Sequence, residues 1–150
     1  MNSPHTRSKE VTTTKKVVLL TTIIFFAAGL AYAGSAVRPI TQDDLKDLKG
    51  AWTGERIGHR GRAERVDVLI STRSLPLQGE VTLYWEKRNV TPKTWPCTGH
   101  IEDGRLIVLW AKDNRKMELE LRTGDGEMKL EGHITDKGFR GTVFLKKIQE

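Results

Sequence analysis

The sequence predicts an all-β fold, an antiparallel up-and-down meander of about eight strands closing into a small barrel after a short helical turn. Three observations carry that expectation. Apolar and polar residues alternate with period two over much of the chain beyond residue 50, the pattern of strands that cover a core on one face. Turn clusters recur at short, even spacing: Asp103-Gly104, Asp113-Asn114, Gly124-Asp125-Gly126 and Asp136-Lys137-Gly138. An Asp-Gly pair between such runs is a strong hairpin signal. No helical segment separates the strands. Closing the meander into a barrel removes its exposed edges; a curved open sheet or a β-sandwich is the alternative.

The first 33 residues read as a secretory signal peptide. Arg7, Lys9, Lys15 and Lys16 stand against one acid, Glu10, ahead of the apolar run VVLLTTIIFFAAGLA and the small-x-small site Ala31-Tyr32-Ala33, an arrangement typical of such leaders. Cleavage would fall after Ala33. The run from Val17 to Ala33 is a little short of the ~20 residues of a comfortable membrane span, and an uncleaved anchor is the alternative. Either way the folded part is expected to be exported, to the periplasm or outside the cell, touching a membrane only through an uncleaved leader. Residues 34–40 are expected to form a flexible linker and 41–150 a single barrel-like domain.

Within that domain, TQDDLKDLK at 41–49 makes one or two helical turns. Thr41 can cap, Asp43 and Asp44 suit the positive end, and Leu45 and Leu48 share a face before Gly50;. Strands are then expected at 51–58, 64–73, 80–88, 97–103, 105–112, 115–122, 127–135 and 139–148. Val66, Val68 and Ile70 share one face; so do Val81, Leu83 and Trp85; so do Met117, Leu119 and Leu121; and so do Met128, Leu130, Gly132 and Ile134. LIVLW at 106–110 is apolar on both faces and is expected to be covered on both. The longest irregular connection is the loop at 86–97, with Trp95 between two prolines.

The full chain carries 25 basic and 19 acidic residues, a net charge of +6. Without the leader's four basic residues and one acid, 21 basic and 18 acidic residues remain, again mildly basic at +3. That mixed balance suits a soluble surface and not a nucleic-acid partner, which would need strong clustering on one element. The only cysteine, Cys97, cannot form an intramolecular disulfide and is expected to be buried as a small hydrophobe.

The helical turn followed by Gly50-Ala51-Trp52 at the start of an eight-strand meander resembles the calycin group of barrels, including lipocalins, avidin and fatty-acid-binding barrels. The resemblance implies that Trp52 lies across the closed end of a barrel, with a basic residue from the last strand (Arg140, Lys146 or Lys147) packed over its ring. It also implies a pocket for a small apolar or amphipathic ligand. The chain has no T-D-Y between later strands and no disulfide pair.

Two sets of residues are candidates for function. Trp85 and Trp110, on strands expected to face the core, would line the pocket of a small-ligand carrier, with Trp95 near the rim; the competing reading is that they merely fill the core. In the turn between the first two strands, Arg56, Arg60 and Arg62 lie with His59 and Arg65 around Gly58 and Gly61. Their forked donors would suit a carboxylate or phosphate, although Glu55 and Glu64 flank them and would partly neutralise them. The second functional reading follows: an envelope interaction module that binds anionic polysaccharide, lipid headgroups or a protein through loops 56–65 and 86–97. His59, His100 and His133 each follow a glycine, but no H-x-H or H-x-x-x-H spacing supports a metal. No G-x-S-x-G, H-E-x-x-H or phosphate-binding glycine loop occurs, so a non-enzymatic protein with no cofactor is expected.

Overall fold

A computed structural model describes residues 36–58, 60–85, 90–111 and 115–149. The expected leader at 1–33 lies outside the described residues. After β1 (Ala36–Arg38), a 3₁₀ turn (Gln42–Asp44) leads into α1 (Leu45–Leu48). Eight longer strands follow: β2 (Gly50–Gly58), β3 (Ala63–Ile70), β4 (Leu77–Leu83), β5 (Lys93–Glu102), β6 (Arg105–Trp110), β7 (Arg115–Gly124), β8 (Glu127–Asp136) and β9 (Phe139–Lys147). Each pairs antiparallel with its neighbour in sequence, and β2 pairs with β9. The sheet is therefore a closed eight-strand up-and-down barrel, which excludes the open sheet and the sandwich.

The turns follow from local chemistry. Asp103-Gly104, Asp125-Gly126 and Lys137-Gly138 all have positive φ at both residues. Such two-residue turns match the twist of the strands they join. Closure also bends the strands sharply. At Gly132, an added Cβ would lie 1.9 Å from the carbonyl oxygen of Glu118 on β7. Only a residue without a side chain permits that approach.

Inward residues form one core that includes Val66, Val68, Val81, Leu83, Leu106, Met117, Leu119, Leu121, Leu130, Val143 and Leu145. Trp52 is fully buried at the end where α1 packs, and its indole Nε1–H donates to the Leu48 carbonyl at 2.9 Å. Lys147 lies over that ring, 6.0 Å from its centroid, and donates to the Asp47 carbonyl. Of the three basic residues considered for this place, the last strand supplies Lys147. This is the closed end of the barrel. Cys97 is buried, as expected, and burial, with Glu80 adding, pushes its thiol up to about 11.

Several boundaries differ from expectation. Residues 36–40, expected within a flexible linker, are pinned to the barrel. β1 pairs with β7 at Leu121–Thr123, beyond the reach of β6, and Ile40 is buried. Arg38 reaches Asp44 at 2.5 Å, and that bond, against the cost of burial and with help from Thr41, holds the Asp44 carboxyl below the usual carboxylate range. β4 begins at Leu77 and ends before Trp85, because its inward alternation starts at Leu77 and passes through Gly79, which carries no apolar side chain to signal it. β5 starts at Lys93, so its first residues come from the loop expected at 86–97. Pro96 is tolerated there because β5 meets β6 only from Cys97 onward;. On β6, Ile107 is buried on the outer face but Leu109 is exposed, so LIVLW is covered on both sides over only part of its length.

Candidate functional site

The ends of four strand pairs, β2/β3, β4/β5, β6/β7 and β8/β9, lie opposite Trp52. Each pair brings described residues to a cavity of about 500 Å³ at the mouth of the barrel. Its aromatic wall is Trp85, Trp95 and Phe139. Trp85 and Trp95 meet edge to face, with centroids 6.3 Å apart, a favourable arrangement for the ring quadrupoles.

The floor is charged. Arg56 follows Trp52 and Gly54 on the inward face of β2, and its side chain donates to Asp136 at 2.9 Å and to Glu64 at 2.6 Å. Arg115, the first residue of β7, places Nε 3.1 Å from the other oxygen of Asp136. The Arg56 guanidinium also stacks 4.7 Å from the Phe139 centroid and 5.8 Å from that of Trp85, and Arg115 stacks 5.0 Å from Trp95. Arg56, Arg115 and Asp136 keep only 1%, 6% and 8% of their surfaces exposed. Two guanidiniums, two carboxylates and three rings thus make an interlocked layer between the aliphatic core and the cavity.

The rim is different in kind. Arg60, Arg62 and Lys93 line the cavity and are exposed. None of the ion pairs among the described residues involves them. Lys137 also reaches the rim.

The candidate residues of the sequence separate accordingly. Trp85, Trp95, Arg56, Arg60 and Arg62 meet at one cavity. Trp110 does not line it; with 1% exposure it packs in the core cluster. Arg56, expected in the turn with Arg60 and Arg62, is instead a buried residue of β2, because the alternation set by Trp52 turns residue 56 inward. Glu64 neutralises it across the strand pair, as the sequence suggested. Arg65 points outward and pairs with Asp67 at 2.8 Å. Burial would raise the Asp67 carboxyl, but hydrogen bonds from Arg65, Thr53 and Tyr84 outweigh it and hold the group low. His59 and residues 86–89 lie outside the described residues.

His100 stands 3.7 Å from Glu102, and His133 is exposed on the outer face of β8. Among the described residues, no three His, Cys, Asp or Glu side chains gather closely enough to hold a metal ion.

Sequence reasoning overlooked Arg115, Asp136 and Phe139. The signal was present. Arg115 shares period-two parity with Met117, Leu119 and Leu121, and Asp136 shares it with Leu130, Gly132 and Ile134. Extending each inward face to the end of its strand would have found both.

No protein-family model matches the chain, and no curated protein matches it in sequence. Among solved structures, a redesigned β-barrel superimposes with a TM-score of 0.49 at 14% identity, covering 71% of this chain and 95% of that one. The closed barrel itself follows from the strand pairing.

Proposed function

We propose that this is an exported, non-catalytic binding protein that holds a small amphipathic ligand in the cavity at the mouth of a calycin-like barrel. The observation that carries the reading is the cavity of about 500 Å³ with three aromatic walls. That volume lies within the ~300–1,000 Å³ range of small-molecule sites. The Trp52–Lys147 contact at the closed end supports the calycin comparison. Export rests on the leader-like residues 1–33. The non-catalytic reading rests on the chemistry of the floor: its acids are each held by an arginine, and Asp136 is nearly closed to solvent.

The envelope-module reading draws on the exposed Arg60, Arg62 and Lys93, which would meet an anionic polymer at the mouth. The two readings differ in whether a ligand enters the barrel.

Native mass spectrometry of protein produced with its own leader and purified gently separates them. The denatured mass reports whether residues 1–33 are removed. A discrete small adduct, present in the native mass and lost on denaturation, is the expected result. An empty barrel that is retained on anionic polysaccharide would overturn the carrier reading in favour of the module.

A further inference from the structure

We infer that the ligand is an aromatic or flat apolar molecule bearing an anionic group, bound with its apolar body inside and its anion at the mouth. The inference rests on the carrier reading and adds to it the charge and the orientation of the ligand. The floor cannot supply the anion site. Arg56 and Arg115 are matched there by Glu64 and Asp136, and Arg56 is 1% exposed although it borders the cavity. A ligand carboxylate driven to the floor would meet Asp136 and Glu64, and would have to displace one of them from a buried guanidinium. Displacement would leave a desolvated charge without its counter-ion, which is strongly unfavourable.

The mouth presents the opposite balance. Arg60, Arg62 and Lys93 line the cavity at exposed positions, and no acid among the described residues pairs with them. Trp85, Trp95 and Phe139, stacked on the guanidiniums of the floor, offer an apolar surface for a flat body. The cavity thus sets a neutral, aromatic floor against a cationic rim. An amphipathic anion matches that gradient in only one orientation. Because its charge stays in water, its binding is sensitive to salt, unlike that of a buried ion.

The test uses two fluorescent probes with the same aromatic body. One, 8-anilino-1-naphthalenesulfonate, carries a sulfonate; the other, N-phenyl-1-naphthylamine, is uncharged. The native protein is expected to bind the sulfonate about tenfold more tightly at low salt, the sum of a few exposed charge contacts. Raising the salt to 1 M should remove most of that advantage. The triple variant R60A/R62A/K93A, altered only at exposed rim positions, should lose the advantage and keep its affinity for the uncharged probe. If both probes bind equally and the rim variant changes neither, the anion-at-the-mouth inference fails while the carrier reading stands. A preference for the sulfonate that survives both 1 M salt and the rim variant places the anion on the floor and likewise overturns the inference. If neither probe binds the native protein, the carrier reading fails and takes the inference with it.

Discussion

Asp136→Asn tests whether the floor of the cavity is a buried ionic layer or a solvated one. In the native protein, one oxygen of Asp136 accepts from Arg56 at 2.9 Å and the other lies 3.1 Å from Arg115 Nε. The amide keeps the shape and removes the charge that both guanidiniums face. Removing one partner of a buried ion pair costs about 3–5 kcal/mol. Arg56 keeps its bond to Glu64, so a loss at the low end, about 3 kcal/mol, is expected;. Against a total stability of about 5–15 kcal/mol, that is a large fraction. With a urea slope of about 1–3 kcal/mol/M, the unfolding midpoint should fall by roughly 1–3 M with the slope unchanged. Glu64→Gln provides the comparison. The Glu64 side chain is 19% exposed and leaves Arg56 its bond to Asp136, so its loss should be about 1 kcal/mol;. A D136N midpoint within about 0.3 M of the native one would refute the reasoning, because it would mean that water already screens the floor.

Asp44→Asn should cost about 1.5 kcal/mol at pH 7 by removing the charge that Arg38 and Thr41 hold;. The folded-state carboxyl lies below its unfolded value, so its contribution is present above about pH 4 and lost as the pH falls through the depressed folded value;. Urea midpoints of D44N and the native protein should therefore converge in strong acid; a gap that stays constant from pH 7 to pH 2 would contradict this. Gly132→Ala should cost several kcal/mol or prevent folding, because its Cβ would meet the Glu118 carbonyl oxygen. Gly126→Ala, in an open turn at φ +74, should cost only the left-handed penalty of about 1–2 kcal/mol;. Thermal melts followed by circular dichroism compare the two, and equal losses would argue against a steric cause at Gly132.

What the amino-acid order determined by itself was the meander. Period-two alternation and the glycine-containing turns are local properties, decided by backbone conformation and by which face is apolar, and they place most strands within a few residues. Where the local signal is silent, the boundaries moved. Gly79 interrupts the alternation of β4, Pro96 reads as a breaker although β5 is paired there only with β4, and β1 is three residues held by β7. Closure, and with it the site, was decided only in three dimensions. Arg56, Arg115 and Asp136 lie on three strands, separated by up to 80 positions, and nothing local relates them. They meet because closing eight strands brings alternate hairpin connections to one end, and because period-two parity turns each of the three side chains inward. The arginines of the first turn look like one cluster in sequence, yet the fold divides them. The pleat sends Arg56 to the floor and Arg65 to the outer face, since side-chain direction in a strand alternates with every residue while chemical character need not; Arg60 and Arg62, between the two strands, stay at the rim.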